Sequence, residues 1–264
     1  MQKVYFPQIT STNSWLLDAL SSGEQFEEGT VFYTFRQTNG RGQIGNVWES
    51  EPDKNIAFSL LLKPDFLPLQ RQFLLSEVCS LGVLDALTDL VLTSRAGEVL
   101  VSSLSIKWPN DIYWGDEKLG GILIENRLMG SHWSECILGI GLNVNQEHWI
   151  GNAPNPTSLS LHGIRISPEK VLDSVCTAIL HRYNCLKEQP DVYSIQLHND
   201  FHFHLYRREG RFPYVDAQSG ESFLAELDGV DPEGPLSLRL PTGECRRYWF
   251  KEVRFVLPCG VTKE

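Results

Sequence analysis

The sequence predicts an α+β fold: a mixed, largely antiparallel sheet flanked by helices, followed by a small C-terminal β-barrel. Three observations carry this. Leu104 to Asn145 is a dense succession of apolar and alternating runs (LSIKW, DIYW, GGILIENRL, ECILGIGLNVN) joined by turn signals, which reads as an antiparallel meander. Leu69–Leu90 and Pro168–Lys187 carry apolar residues at helical spacing. From Gly210 onward the pattern shifts to short strands and tight turns. The chain therefore divides into residues 1–208, which hold every candidate site residue, and residues 209–264.

The elements follow in order. Met1 to Ile9 contains VYF, an opening strand. Ser11–Leu20 (STNSWLLDAL) starts with capping residues and continues with Trp15, Leu16, Ala19 and Leu20 on one helical face. Its first-turn N–H groups and polar side chains can serve the cap or a ligand, the cap being the simpler use. Thr30–Phe35 (TVFYTF) and Ile56–Leu62 (IAFSLLL) are apolar and β-branched enough to be buried strands. Leu69–Leu90 is a core helix with Phe73, Leu74, Val78, Leu81, Leu84 and Leu87 at its spacing, and Thr93–Ser103 is a polar connection. The meander turns at Trp114–Glu117 and Met129–Ser131, and Asn155–Ser160 is a loop. Pro168–Lys187 is a proline-started helix with Val171, Leu172, Val175, Ile179 and Tyr183 inward. A second helix is expected over Val192–Tyr206. It carries His198, His202 and His204, of which the last two point to different faces, arguing for surface or interface histidines over a metal cluster. RFPYVDA, ESFLAELDGV, PLSLRLP and CRRYWFKEVRFVL then read as strands of the small barrel, with turns at Gln218–Gly220, Asp231–Gly234 and Thr242–Gly243.

Four stretches interrupt this pattern in a way that suits chemistry. Arg36–Trp48 (RQTNGRGQIGNVW) sets Gly40, Gly42 and Gly45 around Arg41 and ends on Trp48. Glycines let backbone N–H groups approach an anion, Arg41 adds a planar cationic fork, and Trp48 offers a flat apolar cover. The same glycines could serve only as turns of a hairpin-like loop, and the spacing matches neither the P-loop nor the Rossmann fingerprint. Lys107–Asp111 (KWPND) puts a lysine at a strand end before a proline-broken turn bearing Asn110 and Asp111. Lys118–Gly121 (KLGG) and Gly139–Asn143 (GIGLN) place a second lysine and an amide beside glycines in apolar strands. Glycine inside a strand marks a bulge or a close approach to the backbone. Each polar residue alone is compatible with a structural role, a snorkelling lysine for instance. Their threefold pairing with glycine in one sheet points to a ligand site.

Composition narrows the ligand. The 264 residues carry a net charge of −10, with a pI near 5.2 and a mean hydropathy of −0.20. An acidic surface disfavours general nucleic-acid binding, so cations gathered in glycine-rich loops suit a small anion. No apolar run approaches the ~20 residues that span a bilayer, and MQKVYFPQIT lacks a signal core, so a cytoplasmic protein is expected. Six cysteines without any CxxC are expected as reduced thiols.

STN (Ser11–Asn13), QTNGRGQIGNVW (Gln37–Trp48), KWPNDI (Lys107–Ile112), KLGGILIE (Lys118–Glu125) and GIGLNV (Gly139–Val144) resemble, in order and rough spacing, the biotin protein ligases. The C-terminal piece is similar in pattern to that family's SH3-like domain. The resemblance implies a class II synthetase-like, biotin–lipoate ligase fold and a two-step reaction. Biotin and ATP, with Mg²⁺, would form biotinoyl-5′-adenylate and pyrophosphate. The acyl group would then pass to a lysine of a biotin carboxyl carrier protein or domain. No tightly bound prosthetic group is implied. It further implies Lys118, Arg41 and Lys107 as catalytic residues. Biotin would be held by Ser11, Thr12, Asn13, Gln37, Gly40, Arg41, Lys118, Gly121 and Gly139. ATP and the adenylate would be held by Arg41, Gly42, Gln43, Trp48, Lys107, Asn110, Asp111 and Asn143, with Asp111 a Mg²⁺ contact.

Two departures stand out. Family loops often read GRGR, where this chain has Gln43, and a further position that is often basic is Asn46. Retention of the adenylate is the step these touch. Only ten residues precede Ser11, so the helix-turn-helix of repressor-type ligases is not expected, nor is a DNA or membrane partner; a monomer or weak homodimer is. A lipoate ligase or octanoyl transferase of the same fold, and a non-catalytic biotin sensor, are the competing functions.

Overall fold

A computed structural model of the chain describes residues 1–43, 46–93, 102–130, 132–151 and 155–258. Gly45 of the glycine-rich loop, residues 94–101 of the polar connection, Ser131 of the second meander turn and Cys259 lie outside the described residues. The main sheet is built from β1 (Lys3–Tyr5), β2 (Val31–Thr34), β5 (Ile56–Leu62), β6 (Leu104–Lys107), β7 (Asp111–Trp114), β8 (Glu117–Met129) and β9 (His132–Leu142). Its order is β1-β2-β5-β9-β8-β7-β6. The β1–β2 pair is parallel and the other ladders are antiparallel, so the sheet is mixed and largely antiparallel, as expected.

The two faces of this sheet separate by the period-2 alternation of its strands. On β5, Ile56, Phe58, Leu60 and Leu62 pack into the large core with helices α2 (Phe73–Leu92) and α3 (Pro168–Glu188). Leu61 faces the other way, joining Phe32 and Ile137 against Leu16 and Leu20 of helix α1 (Thr12–Ser21). Short α1 covers only part of that second face, and the uncovered part is where the site lies.

Helix α4 (Pro190–Phe203) is shorter at its C-terminus than the pattern over Val192–Tyr206 predicts. The chain leaves the helix because Leu205 and Tyr206 run alongside β6: the Ile106 N–H donates to His204 O (2.8 Å) and the Tyr206 N–H to Ile106 O (2.9 Å). Likewise the first core helix starts at Phe73, after a 3₁₀ turn at Leu69–Arg71. The α4 histidines sit at an interface. His198 Nδ1 lies 2.6 Å from Glu77 Oε1 on α2, which holds the imidazole above its ordinary range. His202 Nε2 meets the backbone of Val230 in the C-terminal sheet.

That sheet comprises β10 (Arg211–Asp216), β11 (Ser222–Val230), β12 (Leu236–Arg239), β13 (Cys245–Tyr248) and β14 (Val253–Phe255). It is antiparallel in the order β13-β12-β11-β10-β14, so β13 and β14 form its two edges and no ladder among the described residues closes the expected barrel. It docks on the main sheet at the turn after β6. The Trp108 indole N–H donates to Gly234 O (2.9 Å). Gly234 has φ +111, and a Cβ there would stand 2.8 Å from Phe73 Cδ2, so only glycine lets this turn close against α2. Trp108→Phe should keep the packing and lose the bond, costing roughly 1–3 kcal/mol for a buried carbonyl left alone. Denaturant unfolding checks this: an unchanged midpoint would mean the indole contributes only bulk.

Candidate active site

A cavity of about 540 Å³ occupies the uncovered face of the main sheet. Its floor follows from strand register. Ala57, Gly141, Gly121 and Asp111 align across β5, β9, β8 and β7. The next row is Ser59, Gly139 and Leu123. Missing side chains in these rows make the depression, and neighbouring elements reach into it. A Cβ on Gly139 would overlap the Asn13 amide, and one on Gly141 would stand 2.5 Å from Cε2 of the Trp48 indole.

One end of the cavity, at the start of α1, is lined by hydroxyl and amide groups, with the Arg41–Glu125 ion pair beside Asn13. Ser11 caps α1 by accepting from the Ser14 N–H (3.4 Å), so the cap reading holds while the same residue lines the cavity. The Thr12 N–H donates to Gln37 Oε1 (3.1 Å), and buried Ser59 Oγ lies against Thr12 Oγ1 (2.8 Å) and Asn13 Oδ1. Ser11, Thr12 and Asn13 are each no more than 4% exposed.

The other end is cationic. Lys118 Nζ pairs with Asp111 Oδ1 at 2.6 Å, and Lys107 Nζ lies 3.9 Å from Asp111 Oδ2. Lys107 is tucked over the rings of Phe255 (4.9 Å) and Tyr113 (5.4 Å), and this burial pushes its ammonium below its ordinary range while Asp111 opposes the shift. A lysine held this way presents a desolvated, oriented charge. Among the described residues no group of three or more His, Cys, Asp or Glu could hold a metal ion.

The glycine-rich stretch forms a small hairpin over the cavity, β3 (Gly40–Arg41) paired with β4 (Val47–Trp48). Arg41 crosses to Glu125 (2.9 and 3.0 Å). The Trp48 indole N–H is buried without a hydrogen-bond partner, a donor available to a ligand. Arg36, by contrast, turns away to a two-pronged pair with Asp53.

Of the residues singled out from sequence, Ser11, Thr12, Asn13, Gln37, Arg41, Gly42, Gln43, Trp48, Lys107, Asn110, Asp111, Lys118, Gly121 and Gly139 line this one cavity. Gly40 and Asn143 are not among the lining residues. Gly40 lies where a Cβ would stand 2.5 Å from Trp48 O, so it serves the hairpin. Asn143 is 3% exposed; its amide nitrogen donates to Thr157 O (2.9 Å), tying down the loop that runs beside Lys118 of β8, and its Oδ1 is buried without a hydrogen-bond partner. Asn110 lines the cavity but gives its amide to Ile122 O. Sequence reasoning does not single out the residues by which the C-terminal sheet walls the cavity, Phe250, Lys251, Val253, Arg254, Phe255 and Leu257. No local signal marks these residues. Gly141 does carry a signal, since it shares the strand alternation of Gly139.

The family model described as the biotin/lipoate A/B protein ligase family matches residues 5–143. The bifunctional ligase/repressor BirA of Bacillus subtilis is 36% identical over 120 residues, 46% of this chain and 34% of that protein. The biotin–[acetyl-CoA-carboxylase] ligase of Mycobacterium tuberculosis is 34% identical over 139 residues, 53% of this chain and 48% of that protein. These matches thus span less than half the length of either relative. Among solved structures, the biotin protein ligase from Aquifex aeolicus in complex with biotin and ATP superposes with a TM-score of 0.74 at 23% identity, covering 96% of this chain and 99% of that one. This last likeness is one of fold.

Proposed function

The chain belongs to the biotin/lipoate A/B protein ligase family, and on that premise we propose that it activates biotin with ATP and transfers the biotinoyl group to a lysine of a carrier domain. The observation that carries this reading is the division of the cavity: hydroxyl and amide groups backed by the Arg41–Glu125 pair at the α1 end, two lysines and an aspartate at the other, and a floor of small residues between. A compact bicycle with a polar ureido head, an apolar thioether side and a carboxylate tail fits that gradient. Residues 1–208 would form the catalytic part and 209–264 the domain that walls its cationic end.

In the first step a carboxylate oxygen of biotin attacks the α-phosphorus of ATP, the bond from that phosphorus to the β-phosphate bridge breaks, and pyrophosphate leaves. Two anions must meet, so the chain's task is to offset their repulsion. Lys118 would stabilise the junction of carboxylate and phosphate, Lys107 and Arg41 the phosphates, and Trp48 would lie over the adenylate. Mg²⁺ would enter with the triphosphate, and Asp111, now paired with Lys118, would be its contact from the chain. In the second step a carrier lysine amine attacks the acyl carbon and AMP leaves. Biotin-dependent release of pyrophosphate from ATP and Mg²⁺, with lipoate assayed alongside, tests the reading. Release with lipoate and none with biotin would assign the site to the other acid of the family.

Gln43 lines the cavity where a basic residue would make a charged bond to the adenylate phosphate, and Arg36, held by Asp53, does not line it to compensate. A neutral donor in place of a charged one weakens the bond by about one kcal/mol or more, several-fold to tenfold in retention. Gln43→Arg is therefore expected to slow release of preformed adenylate by that factor in a chase with unlabelled biotin. Equal release rates would show that position 43 does not touch the phosphate.

A further inference from the structure

Glu125 follows Leu123 along β8 on the site face, next to Ile137 of β9 and one strand from Leu61 of β5. A carboxylate in that apolar row needs partners, and it has two of different kinds. Its oxygens take the Arg41 Nη2 group at 2.9 and 3.0 Å, and Oε2 also accepts from Asn13 Nδ2 at 2.9 Å. Arg41 comes from the hairpin and Asn13 from the first turn of α1, and both line the cavity, whereas Glu125 is not among its lining residues. It therefore acts from behind, on groups that a ligand would meet.

The chemistry of the contact is directional. A carboxylate beside a guanidinium only accepts hydrogen bonds. Facing it, the Asn13 amide has one satisfactory orientation, with its NH₂ toward Glu125 and the Leu123 carbonyl (3.4 Å) and its oxygen toward Ser59 and Gly139. A glutamine at this position would offer one acceptor oxygen and one NH₂. With its oxygen at the Oε2 place, which meets both donors, its NH₂ would stand against the Arg41 Nη2 group now bonded to Oε1; turned the other way, the NH₂ would face the Asn13 NH₂ and let that amide turn over.

We propose that Glu125 is a positioning residue: by holding Arg41 and Asn13 with one carboxylate it fixes the Asn13 amide, whose oxygen takes the Ser59 hydroxyl with one lone pair and keeps the other for an N–H group of the bound acid. The inference rests on the reading of the cavity as a biotin site and deepens it, because the ureido head of biotin supplies such N–H donors. The dithiolane ring of lipoate has none. Glu125 then contributes to the choice between the two acids without touching either.

Calorimetric titration with biotin in the absence of ATP tests this on the full chain. Glu125→Gln should bind biotin about tenfold more weakly, the difference between an oriented and an unoriented polar contact. In an Asn13→Ala background the same substitution should cost less than about twofold, since the group it orients is gone. The swapped pair, Asn13→Asp with Glu125→Gln, should recover most of the affinity lost by Glu125→Gln alone, because the introduced glutamine amide then donates to an aspartate that still turns an acceptor to the cavity. A merely structural ion pair would give the same loss in both backgrounds and no recovery in the swap, and either result overturns the proposal. Undiminished biotin affinity in Glu125→Gln overturns it as well. A wild-type protein that binds no biotin overturns the reading of the cavity itself, and this shows in the first titration, before any variant.

Discussion

Lys118→Ala should lower the rate of biotin-dependent pyrophosphate release by about two to three orders of magnitude, about 3–4 kcal/mol in the barrier, as for loss of a preorganised donor at developing charge. The fold should survive. Lys118 is held in its strand by its backbone, whose N–H donates to Asn155 O (2.7 Å) and whose carbonyl accepts from the Thr157 N–H (3.0 Å), and alanine keeps both bonds. Its side chain is one-third exposed and makes its ion pair with Asp111 in the cavity rather than in the core. Asp111 would retain Lys107 at 3.9 Å as a neighbour, so no buried carboxylate is stranded. Pre-steady-state pyrophosphate release and a thermal melt, run on the same preparation, separate the two effects. Near-normal release would sink the assignment of Lys118 to the reacting junction. Lost release accompanied by a collapsed melt would reduce it to a structural lysine.

Much of the site is legible in the sequence because it is built on strands, where alternation tells which residues share a face. Gly121 and Gly139 stand out as glycines in apolar runs, and the register duly brings them to neighbouring rows of one cavity floor. Lys107, Asp111 and Lys118 follow from the same meander, since β6, β7 and β8 are consecutive and pair in order. The glycine-rich stretch supplies both a hairpin and part of the cavity lining. Gly40 serves the hairpin sterically, while Gly42 and Arg41 line the cavity.

What escapes is of two kinds. Phe255 sits over Lys107 from a distant part of the chain, and docking of one sheet on another leaves no period in the sequence. Glu125 and Asn143 both owe their place to partners far along the chain. Glu125, given no role from the sequence, joins two cavity groups. An asparagine after GIGL reads as a ligand contact, yet its amide anchors a loop at Thr157. Sequence shows that a polar group is present in an apolar setting; which partner satisfies it is decided by chain segments far apart.

Gly139→Ala is the second substitution with a large expected effect, and it acts without touching a polar group. The added methyl would overlap the Asn13 amide, with Cγ at 2.7 Å and Nδ2 at 2.6 Å from the Cβ position. Asn13 cannot yield easily, being on the first turn of α1, 3% exposed, and bonded to Glu125. Overpacking of this sort costs roughly 1–3 kcal/mol in stability. The displaced amide should also weaken biotin binding about tenfold or more, by loss of one oriented hydrogen bond. ATP binding, at the far end of the cavity, should be unaffected. Gly141→Ala supplies the contrast: its methyl would meet the Trp48 indole, 2.5 Å from Cε2, so nucleotide affinity should fall while biotin affinity holds. Urea unfolding and separate titrations with biotin and with a non-hydrolysable ATP analogue measure each effect. If the two alanines weaken both ligands alike, the cavity is not divided into the two ends that its polarity implies, and the assignment of biotin to the α1 end fails.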